Sequence, residues 1–392
     1  MQESAAAYEV RFLSVDVAMS VTMLESLRQD YARLCRVAGN SSPFSLFEWH
    51  HCWCGHFMNL DPAVTDELRI YVLRNDQADC VAIVPLVASS RRFGPLRIVS
   101  MDLLGADPST TESRTPLIAP GYEHAAIRSL RRHLAEDSGW DWIRWGDVSA
   151  EFGRVLTARA DLSVVPGAPG YLLELPSSWA EFHRGLRRNI RESLRHCYNS
   201  LRRDHHSFRF EIGTTPQDVR CGVDCFLDLH ARRAAMRGTV EHPDHFAGKA
   251  SREFLISVCA RLAAIGAVRV FQLKVGAAVV AVRIGFVVGD CLNLYYSGFD
   301  PAWARYGVMT TALAESLKYA IDAQLRTVNL SRGTDTSKTR WGPRAVPYAS
   351  ALELRPRLSS RLAYRGYASA ATGNGLNSWI LRRLGKGRRA WI

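Results

Sequence analysis

The chain has 392 residues, 47% of them hydrophobic and 22% charged, and a formal net charge of +12. That length suits two domains of ordinary size, and the balance of apolar and charged residues is that of a soluble globular protein, not a fibrous or disordered one. No run of about 18 uninterrupted apolar residues offers a membrane-spanning helix, and the opening MQESAAAYEVRF lacks the basic and then apolar pattern of an export signal.

Nine cysteines at irregular spacing argue against a disulfide framework and fit a reducing cytoplasm. The positive charge is unevenly spread. From Arg355 onward nine Lys and Arg stand with no acidic residue, which leaves only about +3 for everything before. A basic surface can favour CoA phosphates, an acidic carrier protein, nucleic acid or anionic lipid, and charge alone does not choose among them.

Tyr8 to Leu13 reads as a strand, and Ser20 to Val37 as an amphipathic helix with Val21, Leu24, Leu27, Tyr31 and Leu34 on one stripe. Ser42-Pro43 breaks the chain before a helix over Phe44 to Phe57. Two apolar runs, Leu68 to Leu73 and Cys80 to Val87, flank Arg74-Asn75-Asp76-Gln77 as a hairpin. A strand at Leu96 to Leu103, a helix at Gly121 to Ala135 and a strand at Trp142 to Trp145 follow.

The second half opens with a strand at Tyr171 to Leu175. Ser178-Trp179-Ala180-Glu181 is a capping box that starts a helix. On that helix Phe182, Leu186, Ile190, Leu194 and Tyr198 share one side, and Arg184, Arg188, Arg191 and Arg195 the other. The basic ridge is either a solvated helix face or a landing surface for a polyphosphate donor or an acidic acyl carrier, since guanidiniums grip phosphate bidentately. A strand at Phe208 to Ile212, a helix from Pro216 to about Met236, a Gly/His/Pro-rich loop over Gly238 to Gly248 and a helix at Arg252 to Ala264 come next.

The order hairpin, strand, helix, strand then recurs. Val268 to Lys274 and Ala277 to Val288 surround Val275-Gly276, followed by Leu292 to Ser297, a helix after Gly307 and a strand at Arg326 to Leu330. This is an internal structural repeat of very low identity, divided near Pro166-Gly167-Ala168-Pro169-Gly170. The expected fold class is α/β (α+β): two tandem domains, each a mixed twisted sheet flanked by helices, over 1–166 and 167–357, with a basic tail over 358–392.

Two constellations invite chemistry and have simpler explanations. His50-His51-Cys52-Trp53-Cys54-Gly55-His56 sets candidate ligands four apart on a helix, yet no second separated pair accompanies them as in structural zinc sites, so no metal is expected. Cys221 and Cys225, near Asp228 and His230, stand at helical spacing and read as small buried thiols more simply than as a nucleophile.

The stretch that organises the second half is Cys291 to Gly342. In its helix Val308, Ala312, Leu313, Leu317, Ala320 and Ile321 recur at three and four residues. A strand entering a helix through a glycine turn leaves backbone N–H groups at the helix start, which suits a pyrophosphate; the same unit is also common as plain structure. YYSGFDPAWARYG and then VNLSRGTDTSKTRWG resemble the CelD/BcsL-type acyltransferases of the GNAT superfamily, which pair a strand-end "SGFDP.W" with a later "K..W" segment. SPFSLFEWHHCW, RGLRRNIRESLRHC and LHARRAAMRG agree in order, and the resemblance spans roughly residues 43 to 342.

The resemblance implies two GNAT-like halves, as in the related peptidoglycan aminoacyl transferases of the FemAB type. It implies transfer of an acyl group from acyl-CoA or an acyl carrier protein to an amine, without a covalent enzyme intermediate, in polysaccharide, cell-envelope or natural-product biosynthesis. Tyr296, Ser297 and Gly298 match the splayed strand end that supplies an N–H to the thioester. Arg305, Tyr306, Gly307 and Val308 match the R/Q-x-x-G-x-G/A pyrophosphate turn, with the arginine one place late and no second small residue. That departure leaves open a reshaped CoA site or a donor other than free CoA.

Lys338 matches the lysine before an aromatic-glycine pair in FemAB-like enzymes, where a cation can stabilise developing charge. His230 lies in the matching LHARRAAMRG run, with a backbone-satisfied helix-end histidine as the alternative. Asp300 and Asp335 are candidate bases or turn-formers, and the proline after Asp300 favours a turn. Trp49, Arg187, Arg188 and Asn189 are the candidate substrate-binding residues.

The expected partners are a small-molecule amine or amino sugar and, as an alternative donor, an acidic acyl carrier protein; no cofactor is expected to stay bound. The expected location is the cytoplasm, with the inner face of the membrane open through a tail in which Trp379, Ile380, Leu381, Leu384 and Trp391 stand among arginines. Its glycines fit disorder equally well. Nucleic acid is not an expected partner under this reading. Two rivals stay open: an aminoacyl-tRNA-dependent FemAB-like transferase, motivated by the charge and Lys338, and a non-catalytic module recruited to membranes, motivated by the altered 305–309 turn.

Overall fold

The computed structural model describes residues 13–93, 96–107, 109–158, 162–236 and 242–371. The strand expected from Tyr8 and the apolar and basic end of the tail after residue 371 therefore lie outside the described residues, as does part of the loop expected over 238–248.

The first strand is β1 (Ser14–Ala18). The helix expected over Ser20 to Val37 is two, α1 (Val21–Ser26) and α2 (Arg28–Val37). The Ser20 hydroxyl caps the first by accepting from the Met23 N–H, and Leu27 separates the two. A short 3-10 turn at Pro43–Ser45 leads into α3 (Phe47–Phe57). Then come β2 (Thr65–Arg74), β3 (Cys80–Phe93), β4 (Leu96–Leu103), β5 (Leu117–Ile118), α4 (Glu123–Glu136), β6 (Trp142–Ser149), α5 (Ala150–Thr157) and β7 (Ser163–Pro166).

The second half continues with β8 (Gly170–Glu174), α6 (Trp179–Gly185), α7 (Arg188–Arg203), β9 (Phe208–Gly213), α8 (Pro216–Ala234) and α9 (Lys249–Ala264). Next are β10 (Val268–Val275), β11 (Ala278–Val288), β12 (Cys291–Phe299), α10 (Val308–Asp322) and β13 (Thr327–Arg332). The chain closes with α11 (Thr336–Thr339), β14 (Arg344–Val346), β15 (Tyr348–Leu354) and α12 (Leu358–Ala371). The serine half of the capping box forms, the Ser178 hydroxyl accepting from the Glu181 N–H, while the Glu181 carboxylate accepts from the Ser177 hydroxyl. The ridge helix it starts is nevertheless broken, because Leu186 and Arg187 are extended between α6 and α7.

Contacts divide the chain into two compact units that are not contiguous in sequence. The first holds Met1–Asn40, Met58–Pro166 and Ala349–Ile392; the second holds Ser41–Phe57 and Gly167–Tyr348. These limits differ from the expected 1–166, 167–357 and 358–392 at three segments, 41–57, the tail, and 349–357, where β15 pairs with β7 of the first unit. Trp49 of α3 is fully buried against Phe254, Phe286 and Tyr295, so the segment around it joins the second unit. The start of the expected tail is helix α12, whose Tyr364 and Tyr367 each place a ring 5.4 Å from that of Trp142 in the first unit.

In the first unit the strands run β1-β2-β3-β4-β6-β15-β7, with β5 beside β3. β4 and β6 are parallel, and α4 makes the crossover between them. In the second the order is β14-β8-β13-β12-β11-β10-β9, again with one parallel pair, β12 and β13, joined through α10. Each unit is thus a mixed sheet flanked by helices with the same central unit, a parallel pair and its crossover helix. In the second unit Phe182, Ile190 and Leu194 from α6 and α7 meet Leu313 and Leu317 of α10 over Leu292, Leu294 and Val328 of the sheet.

Candidate active site

The parallel pairing of β12 with β13 covers only Cys291 to Asn293 against Thr327 to Asn329, although β12 runs on to Phe299 and β13 to Arg332. The strands part after that point. On the other side of β12 the register against β11 slips: Gly285 faces Leu294 but Arg283 faces Ser297, so Tyr295 and Tyr296 together oppose Ile284. An extra residue of this kind is a β-bulge, which bends its strand and re-aims the side chains beside it. Bulge and parting together give a V-shaped opening between two parallel strands.

Tyr295 is buried with Trp49, Phe44 and Phe286, whereas Tyr296 lies against His230, His245 and Phe246. His230 is 5% exposed, its Nδ1 3.4 Å from the Ser297 carbonyl and its Nε2 3.8 Å from Asp244. Burial holds its imidazole below the ordinary histidine range, against the opposing pull of Ser297 and Asp244. It therefore sits behind the strand as a neutral, backbone-held ring, away from open space.

At the turn Asp300 accepts from the Ala302 N–H at 3.0 Å and lies 3.6 Å from Arg232. It caps the 3-10 turn Pro301–Tyr306, acting as the turn-former of the two expected roles. Gly307 then adopts a left-handed conformation and α10 begins without a side-chain cap. First-turn N–H groups at such a start are the ones an anion meets. The turn is stitched to the end of α7: Tyr306 is buried and donates to Asp204 at 3.0 Å, and Arg305 lies over the Tyr306 ring. Its guanidinium is folded back onto the turn it was expected to extend from.

Beyond β13, Lys338 is half-buried, donates to the Arg332 carbonyl and pairs with Asp335 at 3.3 Å. Burial would raise the Asp335 carboxyl, but the Ser337 hydroxyl and the Lys338 ammonium outweigh it and hold it below the usual carboxylate range. Arg233, from the last turn of α8, lies over the Phe299 ring and donates to the His242 ring at 2.8 Å.

Arg187, Arg188 and Asn189 stand exposed where α7 starts. Arg188, Arg191 and Arg195 line an open cleft of about 510 Å³ together with Trp179, Tyr198 and Lys318. Lys318 lies over the rings of both aromatics. Trp49 is 0% exposed, so it offers a substrate no face; the aromatic core, not a cleft, explains it. Among the described residues no group of three or more His, Cys, Asp and Glu is placed to hold a metal, and all nine cysteines are free thiols. No described helix is long and apolar enough to cross a membrane.

Sequence reasoning missed Arg283. Its one signal is a lone charge inside the apolar run AVVAVRIGFVV.

Residues 186–339 match the family described as acetyltransferase (GNAT) domain. No curated protein sequence matches the chain. Among solved structures, FemX superposes with a TM-score of 0.60 at 9% identity, over 86% of this chain and 98% of its own. A conserved protein of unknown function from Bacteroides thetaiotaomicron gives a TM-score of 0.54 at 14% identity, over 87% and 100%. Such likenesses show the fold alone, a tandem GNAT-like one, and the segment that matches the GNAT domain contains the parted strands, the bulge and the glycine turn.

Proposed function

We propose that the chain is an N-acyltransferase of CelD/BcsL-like type, moving an acyl group from acyl-CoA or an acyl carrier protein to an amine in cell-envelope, polysaccharide or natural-product biosynthesis. The observation that supports this best is the parting of β12 from β13 after Asn293, next to a bulge and followed by an uncapped helix start at Gly307. A thioester enters between the parted strands, with the donor's phosphates toward Gly307 and Val308 and its carbonyl beside Tyr296, Ser297 and Gly298.

The amine must arrive as the free base. Its nitrogen attacks the thioester carbon, the C–N bond forms, the C–S bond breaks, and the proton given up by nitrogen ends on the departing thiolate. The transient oxyanion needs a donor aimed at it. An ammonium has three N–H bonds; Lys338 directs one at Arg332 and one at Asp335, which leaves one for the oxyanion. Asp335 orients that ammonium, and His230 is a positioning residue that holds the Ser297 carbonyl.

The folded-back Arg305 and the close seat of Gly307 on α7 favour a donor delivered by an acidic carrier protein. The basic cleft of Arg188, Arg191 and Arg195 is the surface such a partner meets. Free-thiol release from acyl-CoAs and acyl carrier proteins, measured against a panel of amines and amino sugars, tests the reading. Amine-dependent release that Lys338→Ala abolishes is expected; a protein that neither binds nor consumes any such donor refutes it. The same cleft favours, as a second reading, a charged tRNA donor, whose binding must weaken steeply with salt as counterions are released.

A further inference from the structure

Arg283 is the one charged residue of β11, and its ladder partner is Ser297, beside the bulge. Its Nε is buried without a hydrogen-bond partner, and its guanidinium makes no hydrogen bond or ion pair among the described residues. Burial pushes it down to about 10; Arg233 works in the same direction, and only Asp335 opposes them. Arg233 is likewise pushed down by burial, again with Asp335 opposing. That carboxylate is already engaged by Lys338 and the Ser337 hydroxyl. Three cations therefore share one carboxylate at the open ends of β12 and β13.

Arg283 is half-buried as a whole, with its Nε fully enclosed; a partly desolvated guanidinium with no counter-charge of its own is costly, and two guanidiniums near each other add repulsion. An anionic ligand group removes both penalties, since a carboxylate or phosphate can accept paired hydrogen bonds from each fork. We propose that Arg283 and Arg233 bind an anionic group of the acceptor, so that the amine substrate carries a carboxylate or a phosphate. This rests on the acyl-transfer reading above and narrows its acceptor class from amines in general to anionic ones.

Isothermal titration of the full chain with two matched pairs tests it: glucosamine 6-phosphate against glucosamine, and serine against serinamide. In at least one pair the anion binds about tenfold or more tightly, the scale of a charge-assisted bidentate contact; the discriminating pair tells phosphate from carboxylate. Arg283→Met erases the difference. Ligand-free Arg283→Met also melts higher than the parent, because an unpaired, half-buried charge is gone. Equal binding within both pairs, no binding of either anion, discrimination that survives Arg283→Met, or a lower melting point for that variant overturns the proposal. Titration needs no turnover, so absent thiol release would refute acyl transfer and leave this result to stand or fall separately.

Discussion

A methyl group on Gly298 would sit 2.6 Å from the backbone nitrogen of His230 and 2.9 Å from the carbonyl carbon of Leu229. Backbone cannot swing aside as the end of a side chain can, so α8 is seated on β12 at a distance that only glycine permits. Gly298→Ala pushes helix and strand apart at the open end of the splay. Overpacking of this kind costs about 1–3 kcal/mol, which urea unfolding would register, and turnover falls as Tyr296 and Ser297 shift. Unaltered stability would show that the helix yields freely and does not set the strand's position.

Gly307 combines two constraints, a φ of +62° and a place for Cβ only 2.5 Å from the Cys197 sulfur. The left-handed backbone costs a side-chain-bearing residue about 1–2 kcal/mol, and the clash adds to it. Gly307→Ala is expected to lose about 2–3 kcal/mol in all. Cys197→Ala removes the sulfur and leaves the strain, so the double variant recovers the steric share alone, a coupling of about 1 kcal/mol in a double-mutant cycle. Strict additivity would mean that the thiol rotates away at no cost.

The local part of this site was legible in the sequence. The strand expected at Leu292 to Ser297, the helix after Gly307 and the strand at Arg326 to Leu330 stand at Cys291–Phe299, Val308–Asp322 and Thr327–Arg332, because apolar periodicity and glycine turns act over a few residues. Non-local facts were not. The bulge exists only through the register of β12 on β11, and the Arg283 Nε lacks a partner among the described residues only because of which segments the fold brings beside it. Trp49 was expected at a substrate, yet a tryptophan on a helix carries no mark of which sheet will bury it. Strand β15 was missed for a related reason: it pairs with β7 in the first unit, across the whole intervening second half.

His50 is 3% exposed, and its imidazole is lowered by burial to about 3 from an ordinary 6.5, with a hydrogen bond to the Phe44 backbone opposing. A base whose folded value is depressed adds full stability above 6.5 and loses it as pH falls from there toward 3, since the unfolded chain takes up the proton first. The slope is about 1.4 kcal/mol per pH unit for one such group. Urea unfolding at pH 6.5 and pH 5 should therefore show a loss about 2 kcal/mol greater in the parent than in His50→Gln, which keeps a donor and cannot titrate. Parallel pH profiles for the two proteins would place the acid sensitivity elsewhere.

In the first unit Glu353 of β15 accepts from Arg131 Nε at 2.9 Å and from Trp145 Nε1 at 3.0 Å, and is 8% exposed. Removing one partner of a nearly buried ion pair strands the other, at about 3 kcal/mol. Glu353→Ala is expected to lose that much, and Glu353→Gln less, since its amide oxygen still accepts from the indole. Matching losses for the two would mean that the charge, not the hydrogen-bonded shape, holds β15 in place. Neutral behaviour of Glu353→Ala would show that the strand's ladder alone suffices.

Lys338 separates a catalytic from a structural role most directly. Its ion pair with Asp335 is partly exposed, and pairs of that kind contribute about 0–1 kcal/mol to stability, so Lys338→Met should melt within a few degrees of the parent. A donor aimed at a developing oxyanion is worth about 10²–10³ in kcat. The variant should therefore lose kcat on that scale while KM for the donor holds. Lys338→Arg keeps the charge but misplaces it, since a planar fork cannot reproduce the three N–H directions of an ammonium; its kcat should fall between the two. Loss confined to KM would make Lys338 a donor-binding residue, and kcat within about threefold of the parent would remove it from the oxyanion site.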